Sequence, residues 1–250
     1  MQVIPNTCDI YFRLRDNRKE KPTMPRPPVV LVCMGCFDPV TRAHILLVEY
    51  AHDWLAHEKR SITRILFSPA HDNYPYKRLA PSIHRVAMLR LAIAESKLSH
   101  IMDVDTGEAE CTQGYQPTYA IVENLKQRYE EAQIYIVAGM DLLYSQCDER
   151  TWNPANVKRL YSLVSAVIVP RDGGAGGVSQ KKVIDKVKQL SYLDEPYRNG
   201  RILILNKSVS EISSTAAKEA LRRRSGTMCV DSVQQYILDN ALYSAPPSFQ

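Results

Sequence analysis

Short, largely apolar runs alternate along this chain with longer segments whose apolar residues recur every three or four positions. The apolar runs are Val29 to Met34, Ile62 to Phe67, Ile101 to Val104, Ile134 to Ala138, Leu163 to Val169 and Ile202 to Leu205. Each has the length and composition of a strand buried on both faces. The mixed segments predict helices over Thr41 to His57, Pro81 to Glu95, Tyr119 to Glu131 and Val178 to Leu190. Two more follow the last strand, over Ser213 to Arg224 and Ser232 to Asn240. In the first helix Ile45, Leu46, Val48, Ala51 and Leu55 keep close to a 3.6 period. Pro81 is tolerated in a first turn, where its missing N–H has no partner to lose. Strands alternating with helices imply an α/β protein with a doubly wound parallel sheet, helices on both faces and a C-terminal helical portion. Ligands of such sheets bind outside the carboxyl ends of the strands, so the strand-to-helix junctions are where chemistry is sought.

The ends of the chain follow a different pattern. Residues 1–28 are polar and finish in a Pro-rich run, Lys21 to Pro28, which predicts an extended arm. The globular domain is expected over residues 29–243, with a tail at 244–250. Gly173 to Gly177 reads as a flexible loop.

With 45% hydrophobic and 24% charged residues, the composition excludes wholly disordered and collagen-like chains. The net charge of +5 permits anionic small molecules without arguing for nucleic acid. No apolar run approaches the roughly 20 residues of a membrane-spanning helix, and the N-terminus does not read as a secretory signal. The six cysteines are scattered, and Cys33 to Cys36, formally C-x-x-C, has no second ligand pair at zinc spacing. A buried strand end is therefore expected there, and a reducing compartment, cytosol or nucleus.

The first junction carries the densest chemistry: Gly35-Cys36-Phe37-Asp38-Pro39-Val40-Thr41-Arg42-Ala43-His44. Gly35 lets the backbone turn tightly and Asp38-Pro39 marks a turn. Thr41 is the candidate N-cap of the helix that carries His44. Free N–H groups at that helix start can hold a phosphate, and Thr41 and His44 share one helix face toward it.

This string resembles Gly-x-Phe-(Asp/Asn)-Pro-x-x-x-x-His, the signature of the nucleotidyltransferase superfamily with a His-x-x-His or Thr-x-x-His motif. Three later segments resemble the eukaryotic nicotinamide/nicotinate mononucleotide adenylyltransferases. The first is Ser68-Pro69-Ala70-His71-Asp72-Asn73-Tyr74-Pro75-Tyr76-Lys77 with His84-Arg85. The second is Gly139-Met140-Asp141-Leu142-Leu143 with Trp152. The third is Ile212-Ser213-Ser214-Thr215-Ala216-Ala217-Lys218 with Arg222 and Arg223. The likeness runs over about residues 29–243. It departs at Lys218, where the family has Arg, and at Gly107, where the family commonly has Trp after the Asp-Thr pair. Lys keeps the charge but not the bidentate fork, and Arg222 or Arg223 is the alternative.

The resemblance implies a Rossmann-like fold. It implies adenylyl transfer from ATP to nicotinamide or nicotinate mononucleotide, with Mg²⁺ accompanying ATP and no metal ligands from protein side chains. The catalytic groups it implies are Thr41, His44, Lys77 and Lys218. ATP would meet Gly35, Cys36, Phe37, His44, Gly139, Asp141, Ser213, Ser214, Thr215 and Lys218. The mononucleotide would meet Cys36, Phe37, Lys77, Thr106, Leu142, Trp152 and Arg171. Several residues have a second reading: Lys77 as a solvated loop cation, Arg85 as an ion-pair partner, Asp141 as a helix cap and Trp152 as core packing. Two other functions stay open at this point. One is transfer to a different phosphorylated acceptor, and the other is a non-catalytic nucleotide sensor. Nucleic-acid and membrane partners are not expected, and a homo-oligomer is allowed.

Overall fold

The computed structural model describes residues 26–172, 177–210, 213–223 and 228–243. Six parallel strands form one sheet: β1 (Val29–Gly35), β2 (Ile62–Pro69), β3 (Met102–Val104), β4 (Gln133–Gly139), β5 (Ser165–Val169) and β6 (Ile202–Ile204). Their order is β3-β2-β1-β4-β5-β6. The chain winds outward from β1 in one direction and then, from β4, in the other. That reversal leaves a crevice between the carboxyl ends of β1 and β4. β1 holds the centre, with Val30 set against Arg64 of β2 and Ile134 of β4.

Nine α-helices are described: α1 (Arg42–His57), α2 (Ser82–Ala94), α3 (Thr118–Arg128), α4 (Met140–Ser145), α5 (Pro154–Leu163), α6 (Gln180–Val187), α7 (Ser191–Arg198), α8 (Ser214–Arg222) and α9 (Asp231–Asp239). The two-residue period of β1 divides them between two cores. Val29, Leu31 and Cys33 pack with Val48 of α1, Leu89 of α2, Ala217 of α8 and Val233 of α9. Val30 and Val32 pack on the other face with Leu125 of α3, Leu143 of α4, Leu160 of α5, Val183 of α6 and Leu193 of α7. Among the described residues no helix is long and apolar enough to cross a membrane.

The predicted strands and helices are present, with shifted ends. The strand expected from Leu163 begins at Ser165, because α5 runs through Leu163 and buries Leu160 and Tyr161. Pro81 precedes α2 as its N-cap residue and does not lie in its first turn. Helices α4, α5 and α7 were not expected. The signals for α5 are nonetheless in the sequence: the Asn153 side chain accepts from Ala155 N–H, and Pro154 opens the helix. In α7 an internal Pro196 masks the pattern. The N-terminal arm to residue 25, the loop at 173–176 and the tail at 244–250 lie outside the described residues.

Candidate active site

Chain geometry at the end of β1 aims the motif at the crevice. Gly35 has no left-handed backbone, and a Cβ there would meet the Phe37 ring at an ordinary 3.5 Å. The tight turn expected of Gly35 is made two residues later by Phe37, at φ 48°. Packing holds that conformation in place. The Phe37 ring is buried, edge-on to Phe67 at 5.7 Å and to the His44 imidazole at 5.3 Å.

Thr41 and His44 close the start of α1 on each other. The Thr41 backbone N–H donates to His44 Nδ1 at 3.0 Å, and Thr41 Oγ1 lies 2.8 Å from the same nitrogen. His44 thus takes the place that Glu or Gln usually fills in a capping box. A backbone amide can only donate, so Nδ1 accepts and the ring proton resides on Nε2. Burial, helped by the charge of Arg171, pushes the imidazole down to about 4. His44 is therefore neutral at physiological pH and offers the cleft a hydrogen bond. Thr41 is 1% exposed and its hydroxyl is turned to the imidazole, so it orients His44 and does not reach a ligand.

A cleft beside the carboxyl end of β1, between the motif loop, the segment after β2 and α8, is lined by Cys36, Phe37, Asp38, His44, Lys77, Leu79, Ser214, Thr215 and Lys218. It brings together two cations from distant segments, the imidazole and the start of α8. The Ser213 side chain caps α8 by accepting from Ala216 N–H at 3.0 Å. The Ser214 hydroxyl, expected to contact phosphate, donates to the Pro39 carbonyl at 2.9 Å and ties α8 to the motif loop. What α8 offers a phosphate is its first amides, which have no partner within the helix. Lys218 is ion-paired with Asp38, a carboxylate only 4% exposed. Cys36 has its thiol pushed up by burial, while Lys77 and Arg85 draw it the other way.

Residues 32–220 match a family model described as cytidylyltransferase-like. The chain belongs to the cytidylyltransferase-like family. Its sequence is 28% identical over 239 residues to nicotinamide/nicotinic acid mononucleotide adenylyltransferase 1 of Saccharomyces cerevisiae, covering 86% of this chain and 55% of that protein. The Oryza sativa protein named nicotinamide/nicotinic acid mononucleotide adenylyltransferase is 26% identical, with 87% of each chain covered. The chain thus spans little more than half of the yeast relative and 60% of the Schizosaccharomyces pombe one. Among solved structures, nicotinic acid mononucleotide adenylyltransferase of Plasmodium falciparum complexed with APC superposes with a TM-score of 0.62 at 18% identity, covering 86% of this chain and 97% of that one. The same protein complexed with NaAD gives 0.58 at 19% identity over the same shares. At those identities the likeness establishes the fold.

Other residues expected at the site of this cytidylyltransferase-like chain lie around the cleft and outside its lining. Asp141, at the start of α4, pairs with Arg171 at 3.4 Å beyond the end of β5. Gly139 is the N-cap residue of α4, and a Cβ there would meet only Asp141 Oδ2, at 3.9 Å. Trp152 donates from Nε1 to Ser145 Oγ at 3.1 Å and packs, like Leu142, against the second core, which fits its packing role. Thr106 donates its hydroxyl to Glu110 at 2.9 Å. Beside it, a Cβ on Gly107 would lie 3.2 Å from Asp105 Oδ1, whose carboxylate also pairs with Arg128. Arg85 is fully buried and donates to the carbonyls of Ala80, Cys36 and Ala70 and to Asp72, so its ion-pair reading is the one realised. Arg222 and Arg223 pair with Glu219 on their own helix and leave Lys218 as the cation that α8 brings to the cleft.

Three residues that sequence reasoning passed over belong in this account. Asp38 was read as a turn former and a position of the motif, and Tyr243 as the end of the likeness, neither with a partner; both meet Lys218. Glu108 is 7% exposed beside Ser68, and burial raises its carboxyl to about 7. Its place next to the Asp-Thr pair was the one available signal.

Proposed function

We propose that this chain joins ATP and nicotinamide or nicotinate mononucleotide to give the dinucleotide and pyrophosphate. The names of its relatives support the acceptor class. The single observation that carries the chemistry is the neutral His44, locked as a donor by Thr41 and set in one cleft with Lys77, Lys218 and the start of α8.

A mononucleotide's 5′-phosphate is already ionised at neutral pH, so attack on the α-phosphorus of ATP needs no general base. Alignment of two anions and compensation of their charge are what the reaction asks of the protein. The start of α8 and Lys218 would hold the ATP phosphates, and Lys77 the acceptor phosphate. His44 Nε2–H would donate to a non-bridging oxygen that gains charge in the transition state. Of the lining residues only Asp38 is acidic, and it is engaged by Lys218. Mg²⁺ would accordingly arrive held by the ATP phosphates, which suits its preference for few protein ligands, and would neutralise the departing pyrophosphate. Among the described residues five cysteines stand outside any disulfide, which supports placement in the reducing cytosol or nucleus.

The test is incubation with ATP, Mg²⁺ and each of a panel of acceptors: nicotinamide mononucleotide, nicotinate mononucleotide and other phosphorylated compounds. Chromatography of the products and release of pyrophosphate are followed together. Dinucleotide formation with either pyridine mononucleotide is the expected result. Adenylylation of another acceptor alone would replace this reading, and ATP binding without pyrophosphate release would make the chain a sensor.

A further inference from the structure

Lys218 is not free in this structure. Its ammonium is paired with Asp38 Oδ2 and lies 5.0 Å from the centroid of the Tyr243 ring. The Tyr243 hydroxyl donates at 2.5 Å to the other Asp38 oxygen, Oδ1, which also accepts from Ala80 N–H at 3.3 Å. Asp38, Lys218 and Tyr243 come from the motif loop, α8 and the turn after α9. Asp38 and Lys218 line the cleft with His44.

For Lys218 to reach a nucleotide phosphate, its ammonium must loosen its hold on Asp38. A carboxylate this deeply buried, stripped of its cation, is costly unless other donors remain. Tyr243 and the Ala80 amide are those donors. We propose that Tyr243 is a positioning residue for ATP binding. Its hydroxyl holds the Asp38 carboxylate in place while Lys218 passes from that carboxylate to the triphosphate. The bond from Tyr243 exists in both states, but it is worth more once the ammonium has moved away. Burial, reinforced by the bond to Asp38, raises the Tyr243 phenol above its ordinary value, so the group stays protonated and able to donate.

The inference rests on the assignment of Lys218 to ATP. Its readout is therefore ATP affinity measured by calorimetry, which does not depend on turnover. Tyr243→Phe keeps the ring against Lys218 and removes only the hydroxyl. It is expected to weaken ATP binding about fivefold or more, within the range of a hydrogen bond to a charged group. Where turnover is measurable, KM for ATP should rise by the same factor, with kcat and the acceptor KM within twofold of the parent. In an Asp38→Asn background there is no buried charge to hold, and removal of the hydroxyl should then change ATP affinity less than twofold. That comparison also serves if Tyr243→Phe lowers the melting temperature, because a merely structural loss would persist in both backgrounds. Unchanged ATP affinity in Tyr243→Phe, or the same loss in both backgrounds, overturns the proposal. Failure of the panel assay with ATP binding intact would instead strike the proposed reaction and leave this inference standing.

Discussion

At the scale of single residues, two titratable groups, the half-buried His44 and the buried Glu108, have been driven in opposite senses by their surroundings. His44 is kept neutral by burial down to about pH 4, with its proton placed by Thr41. Its contribution is one directed hydrogen bond. His44→Ala should lower kcat by about 10²-fold or more, the usual cost of a lost transition-state donor. Steady-state kinetics on the folded variant checks this, and turnover within a few-fold of the parent removes His44 from the chemistry. Glu108 has the reverse character, because burial raises its carboxyl from the ordinary 4.5 to about 7. The folded state holds this proton longer than the unfolded chain does. The contribution to stability is thus complete below about pH 4.5 and is lost as pH rises through 7. Glu108→Gln imitates the protonated form. Its melting temperature should match the parent near pH 5 and exceed it at pH 8, and an equal difference at both would refute the assignment.

At the scale of elements, the cleft depends on a loop between β2 and α2 held from beneath by one guanidinium. Arg85 of α2 binds Ala80, Cys36 and Ala70 through their carbonyls, at 2.8, 3.0 and 2.7 Å. It joins the motif loop to the segment that presents Lys77. Arg85→Met preserves much of the volume but leaves buried carbonyls without donors, and should destabilise the fold by about 3 kcal/mol or more. Lys at this position should not restore the loss, since one ammonium cannot reproduce the fork. Chemical denaturation measures both, and a loss below about 1 kcal/mol for Arg85→Met would discount the strut. The period of α1 and the apolar run of β1 were plain in the sequence because each buries a continuous face. The role of Arg85 was not, because an arginine that faces carbonyls and one that faces a phosphate share the same local sequence. Helix α4 was missed for its brevity, and Trp152 was ambiguous because an indole meets a core and a ligand with the same surface.

At the scale of the whole molecule, the doubly wound parallel sheet was legible because parallel strands with helices between them admit few arrangements. The order of the strands, which puts the switch point between β1 and β4, came from the structure. What local pattern could not supply was the contact between ends of the chain: 180 residues separate Asp38 from Lys218, and 205 separate it from Tyr243. Lys218→Ala severs the first of these contacts. It should weaken ATP more than the mononucleotide and cost about 1–3 kcal/mol through the buried carboxylate it leaves behind. Separate titrations of the two substrates and a melting curve test this, and equal weakening of both would move Lys218 away from the ATP side. The same long-range contacts bear on synthesis. All six strands have been translated by Ile204, yet Asp38 still lacks both side-chain partners. A ribosome must add nearly forty more residues before Tyr243 can close the ring around Asp38. A nascent chain therefore holds the strands of its sheet well before it holds a finished cleft.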